Sequence, residues 1–433
     1  MKKILLTLCS FCLALTIVAQ TGPTPAEPQS RPILISGATA HLGNGQVIED
    51  CFIAFENGKL TVVGDNQTRR DASKYRIIDA AGKHVYPGLI ACNSNLGLTE
   101  IGAVRATRDA REVGSINPNV RSLIAYNTES TVIPTVRANG VLLAQITPQG
   151  GTVSGQSSVV QLDAWNWEDA AIRTDDGIHL NWPRLYSRGG WWTGNSGVTR
   201  NDKYPENQRD LDTYFAETTG YRDLAEPGER NLKFESMRGL FDGTKKLYIH
   251  VEDAQGITDA VNFAMRHKVS PVIVGGADSW LVADFLKDNN VPVILHPTQA
   301  LPNRTDSDID QPFKTPKMLH DAGVEFALAM DGYWEQRNLA FQAGQAIGFG
   351  LPYEVAVQAI TAAPARILGV GDEMGSLEVG KDATLIIVEG DLLDMRSNKV
   401  EHAFIQGREI DLDTKQKQLY QKYGKKLGVS TEY

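Results

Sequence analysis

From Asn231 onward, short apolar runs alternate with longer segments whose apolar residues recur at helical spacing. The runs cover residues 247–251, 271–274, 292–295 and 325–330, and helices are expected over 256–267, 278–288, 314–322, 335–349 and 352–367. Parallel strands need a crossover between them, and a helix of this length is the compact way to make one. Four such units in succession favour a (β/α)8 barrel, although a doubly wound sheet would show the same local pattern.

The two ends of the chain read differently. Residues 32–86 hold short β-type runs punctuated by Gly43-Asn44-Gly45, Asn57-Gly58 and Ala81-Gly82, and the same texture returns after Gly375. Hairpin signals of this kind predict strands. Chain termini commonly lie close together, so segments 31–86 and 376–412 are expected to build one small discontinuous β-sandwich domain. The barrel then occupies 87–375. Its rhythm breaks between 163 and 230, a segment with five of the seven tryptophans, Trp165, Trp167, Trp182, Trp191 and Trp192. That segment reads as an insertion, either a lid over a pocket, a small core of its own or a partner surface. A charged surface helix is expected over 413–433.

Lys2 and Lys3 followed by an apolar run to Val18 predict a secretory signal peptide over 1–19, with a Pro/Thr/Ser-rich linker over 20–30. The run is shorter than the roughly 20 residues that cross a bilayer, and no later segment offers a transmembrane span. A secreted or periplasmic location follows. The net charge of −9 argues against nucleic acid as a partner. Cys9 and Cys12 belong to the leader, which leaves Cys51 and Cys92 as two expected free, buried thiols.

The candidate chemistry lies in Pro87-Gly88-Leu89-Ile90-Ala91-Cys92-Asn93-Ser94-Asn95, preceded by Ile78-Asp79-Ala80-Ala81-Gly82-Lys83. Far downstream come Ile360-Thr361-Ala362-Ala363-Pro364-Ala365 and Gly375-Ser376-Leu377-Glu378-Val379-Gly380-Lys381-Asp382-Ala383. Together these segments resemble the amidohydrolase superfamily, in its imidazolonepropionase-like secreted branch. The resemblance covers almost the whole chain after the leader.

It implies a barrel with one or two divalent ions at its C-terminal mouth, where they lower the pKa of a bound water and polarise a carbonyl. The ligands it implies are an H-x-H pair after strand 1, a lysine or glutamate on strand 4, histidines ending strands 5 and 6, and an aspartate ending strand 8 that also shuttles protons. In this chain the H-x-H pair reads Asn93 and Asn95, the strand-6 histidine aligns with Gly275, and no lysine ends an apolar strand between 120 and 244. His250 matches the strand-5 ligand, and Asp331 matches the aspartate, as metal ligand and as catalytic group. Carboxamides coordinate divalent transition ions far more weakly than imidazoles do. Asn93 and Asn95 are therefore expected to hydrogen-bond substrate, together with His296 after the seventh strand.

Two cofactor readings stay open: no metal, or a single divalent ion such as zinc on His250, His296 and Asp331. Two function readings stay open as well. One is a hydrolase acting on carbon–nitrogen bonds of a small amide or cyclic amide. The other is a catalytically silent homologue that binds a small amide-type ligand, as a homo-oligomer or as a subunit beside an active paralogue. The glycine clusters Thr147–Gly151 and Ser154–Ser158 are candidate pocket walls or plain tight turns. His41, His84, His179, His267, His320 and His402 suggest no shared site.

Overall fold

The computed structural model describes residues 24–68, 73–188, 198–224, 228–304 and 306–429. The expected leader, Trp191 and Trp192 lie outside them. Seven strands precede the barrel: β1 (Ile33–Ser36), β2 (Thr39–His41), β3 (Val47–Ile48), β4 (Cys51–Glu56), β5 (Lys59–Asp65), β6 (Arg76–Asp79) and β7 (His84–Pro87). The barrel follows with β8 (Leu89–Ser94), β9 (Val141–Ile146), β10 (Val153–Gln161) and β11 (Ala171–Asn181). After the small hairpin β12 (Tyr186–Arg188) and β13 (Val198–Arg200) come β14 (Lys246–Val251), β15 (Pro271–Gly275), β16 (Val293–Leu295) and β17 (Phe326–Leu328). The last strands are β18 (Leu385–Glu389), β19 (Lys399–Ile405) and β20 (Arg408–Glu409).

Both chain ends share one sheet, ordered β20-β19-β18-β7-β2-β3, which packs on a second sheet β5-β4-β1-β6. The alternation in the sequence explains the pairing: Ile33, Ile35, Ile53, Phe55, Leu385, Ile387 and Phe404 all turn into the layer between the sheets. Phe55 and Phe404 meet edge-on there, with ring centroids 5.1 Å apart, a favoured aromatic geometry. Cys51 and Cys92 are both buried and free.

The barrel sheet runs β8-β9-β10-β11-β14-β15-β16-β17. From β11 to β17 each neighbouring pair is parallel, and the helices Ala254–Arg266 and Gln311–Ala322 are among those between them. The third strand departs from the expected repeat, because β10 is antiparallel to both β9 and β11. Short connections replace crossover helices at that point, and only the single turn Trp167–Ala170 separates β10 from β11. Segment 163–230, expected to be an insertion, therefore supplies the fourth barrel strand and the helix Tyr204–Arg222. Trp182 is buried, packs on Phe263 at 5.3 Å and donates to the Tyr204 hydroxyl at 3.0 Å. It fastens a helix to the barrel wall. Trp165, by contrast, is exposed.

Between β17 and β8 the barrel is sewn by residues that belong to neither strand. Leu328 donates to the Ala359 carbonyl at 2.9 Å, and Ile90 donates to that of Ile360 at 3.0 Å. The interior is filled by Ile90, Leu143, Val159, Tyr248, Val274, Ile294 and Ala327, a packed core rather than a pore. A buried carboxyl group sits among them: Asp176 accepts from Tyr248 at 2.6 Å, Ser157 at 2.7 Å and Gln145 at 2.9 Å. Burial raises its pKa, against the pull of those hydrogen bonds.

Candidate functional site at the barrel mouth

Parallel strands deliver their C-terminal ends to one face, which is where a barrel assembles a site. His250 stands near the end of β14, Gly275 closes β15, His296 follows β16 and Asp331 follows β17. A cavity of about 460 Å³ opens beside the last three of these, with Glu252, Gly275, Asp278, His296 and Asp331 on its wall. Leu295, Pro297, Leu301 and Pro312 supply apolar surface.

His296 is held at both ring nitrogens. Its Nδ1 lies 2.9 Å from Asp331 and its Nε2 lies 2.8 Å from Glu252. Burial alone would lower its pKa, but the hydrogen bonds and charges of the two carboxylates reverse that and raise it to about 10. The imidazolium in turn holds the Asp331 carboxyl below the usual carboxylate range. Glu252 is fixed from the other side, because its second oxygen accepts from the Ala277 amide at 3.1 Å.

Gly275 explains why Glu252 can lie there. Its φ is +98°, and a Cβ on it would run into the Glu252 carboxylate. The carboxylate thus fills the space where a side chain at the end of the sixth barrel strand would begin. Deeper in, His250 Nε2 lies 2.9 Å from His179 Nδ1, and the His179 ring stacks on Tyr248 at 4.7 Å. Burial, and then the neighbouring charge of His296, lowers His250 to about 4. His179 is depressed by burial and by His250, so this pair is neutral.

Asn93 and Asn95 are placed elsewhere. β8 carries a bulge against β9 between Ala91 and Ser94, and Asn93 takes a left-handed φ of +52° within it, a conformation asparagine tolerates. Its amide donates to Gln145 at 3.2 Å. Asn95 is buried and donates to Thr99 at 3.4 Å, while its Oδ1 has no hydrogen-bond partner among the described residues. Neither asparagine lines the cavity. The glycine-rich turns do permit a close backbone approach, but to the chain's own long loop: Arg111 bridges Gln149, Ile116 bridges Val153 and Arg121 bridges Gln156.

The donor set does not fit the family's metal centre. Both nitrogens of His296 are engaged by carboxylates, Nε2 of His250 is engaged by His179, and amides stand where two imidazoles would be needed. Among the described residues no group of three or more His, Cys, Asp or Glu side chains is arranged to hold an ion.

The geometry brings together His250, His296 and Asp331 from the sequence-predicted set. It adds Glu252, His179 and Asp278, which sequence reasoning had not assigned. His179 was findable in principle. The run Gly177-Ile178-His179-Leu180 has strand character, but it lay inside the segment taken for an insertion. Outside the mouth, His41 bonds Glu354 at 2.7 Å and approaches His84 at 3.1 Å, and His267 and His402 pair with Asp212 and Glu409.

Comparison with known proteins agrees with this architecture. The sequence model of the amidohydrolase family matches residues 228–410. An imidazolonepropionase from Rhizobium rhizogenes is 24% identical over 375 residues, covering 80% of this chain and 88% of its own length. The amidohydrolase tasK of Hapsidospora irregularis is 20% identical over 398 residues, which cover 81% of this chain but only 39% of that protein. Among solved structures, an amidohydrolase from Thermotoga maritima MSB8 superposes with a TM-score of 0.75 at 24% identity, over 88% of this chain and 99% of its own. Molinate hydrolase superposes with a TM-score of 0.54 at 17% identity, over 94% of this chain and 98% of its own. With the strand-end positions of His250 and Asp331, the barrel and the two-ended β-domain already described, the family match over residues 228–410 supports the amidohydrolase superfamily.

Proposed function

We propose that the barrel mouth recognises a small amide-type ligand without a resident metal, and that the chain is a binding homologue rather than a working hydrolase. The observation that carries this reading is the Glu252–His296–Asp331 array. A general acid or base works best with a pKa near the operating pH. Here the two carboxylates drive His296 to about 10, and Asp331 moves the opposite way. Neither group changes charge near neutrality. They present instead a fixed pattern of donors and acceptors beside an apolar wall, the usual composition of a small-molecule site.

The test combines metal analysis of the purified chain with ligand binding and turnover on a panel of small amides, lactams and dipeptides. Thermal stabilisation by some of these compounds, without turnover before or after zinc or manganese addition, is expected. Stoichiometric zinc that is lost in His250→Ala, together with C–N bond cleavage, would sink the proposal.

A second reading, hydrolysis of a carbon–nitrogen bond by acid–base chemistry, is favoured by one feature: the His296–Asp331 pair opens onto the cavity. It requires turnover that disappears in Asp331→Asn. The signal peptide read in residues 1–19 supports action outside the cytoplasm. Pairing with an active paralogue predicts that the two co-purify, and a chain that ignores such a paralogue counts against that part.

A further inference from the structure

The helix Lys415–Leu427 lies outside everything the barrel mouth uses, and its two faces differ sharply. Leu419, Tyr423 and Leu427 follow one another at four-residue spacing, which aligns them along one side of a helix. Their exposures are 40%, 51% and 73%, and Val429 just beyond the helix is 56% exposed. Lys415, Lys417, Lys422, Lys425 and Lys426 occupy the rest of the surface, with no acidic residue between Lys415 and Leu427. Among the described residues none of the five is in a salt bridge, although Lys422 lies over the Tyr423 ring.

The helix is well formed without a partner. Thr414 caps its N-terminus by accepting from the Lys417 amide at 3.1 Å, and Gly428 ends it in the left-handed region at φ +66°. It leans on the body through the buried Gly424 and through Gln416, whose side chain accepts from Thr135 at 3.0 Å. Gln416 shares the side of the stripe, whose exposure rises from Leu419 to Leu427 along the helix.

We propose that this helix docks the protein onto an anionic lipid surface, with Leu419, Tyr423 and Leu427 set into the headgroup boundary and the lysines on the lipid phosphates. The charge distribution favours that occupant. The whole chain carries −9, yet this helix concentrates five cations beside an apolar stripe, the pattern of an interfacial amphipathic helix. A second copy of the chain is a poorer fit. Thirteen residues make a rod about 20 Å long and about 10 Å wide. That offers roughly 200 Å², well short of the roughly 800 Å² per partner that a stable interface buries.

Co-sedimentation of the full chain with phosphatidylglycerol/phosphatidylcholine vesicles tests the proposal, read as the difference between wild type and helix variants so that any effect of residues 1–19 cancels. Binding should weaken with salt, and a Lys422→Gln/Lys425→Gln/Lys426→Gln variant should bind more than ~10-fold more weakly. Leu427→Ser, which alters one solvent-facing side chain, should weaken binding with an unchanged melting temperature. Vesicle binding that is equal in wild type and both variants, or absent, overturns the proposal. So does a concentration-dependent dimer that Leu427→Ser abolishes, since that assigns the stripe to a second copy.

Discussion

Gly275 contributes no side chain to the mouth, and that vacancy lets Glu252 reach His296. The consequence is measurable through pH. A histidine whose folded pKa is raised stabilises the fold fully below its unfolded value of about 6.5 and loses that contribution as pH climbs through its folded value. For His296 the window therefore runs from about 6.5 to about 10. Stability measured by urea denaturation should fall across it in the wild type, and by less in His296→Gln. His250 behaves in the opposite sense, because its folded pKa is lowered to about 4. Its contribution is present above about 6.5 and fades as pH drops toward 4, a loss that His250→Gln should reduce. At the barrel centre, Tyr248→Phe takes one of three donors from the buried Asp176. It should cost about 1–3 kcal/mol, the penalty of an under-satisfied buried polar group.

Elements explain what the sequence could and could not convey. The βα units after Asn231 were legible because each strand is short, apolar and followed by an amphipathic helix, and the observed strands 246–251, 271–275 and 293–295 fall close to the expected runs. The hairpin β10–β11 was not, since two antiparallel neighbours need no crossover helix and leave no helical signature. The site divided along the same line. His250, His296 and Asp331 end recognisable strands, while His179 acquires meaning only when β11 lies beside β14, and Glu252 only when the end of β14 meets the residue after β16. The bend that admits the long loop is set by Gly155, at φ +138° with an added Cβ only 2.5 Å from the Val120 carbonyl. Gly155→Ala should destabilise by about 1–3 kcal/mol in thermal or urea melts.

At the scale of the molecule, Asp163 ties the parts together. It pairs with the buried Arg137 of the barrel, accepts from Arg408 of β20 at 3.0 Å and takes the Ala26 amide at 2.9 Å. Removing one partner of a buried pair leaves an uncompensated charge, so Asp163→Ala should cost about 3–5 kcal/mol. If both domains melt together in the wild type, calorimetry should show the transition broaden or split in this variant.

The seam between β8 and β17 also sets an order of events in time. Antiparallel neighbours such as β9, β10 and β11 are close in sequence and can pair within microseconds. The outer edge of β8 must wait for Ile360, which the ribosome supplies only after every other barrel strand. Closing a contact of that span is slow. A nascent chain that stops short of Ile360 therefore carries two open sheet edges, the kind of surface that recruits chaperones or aggregates.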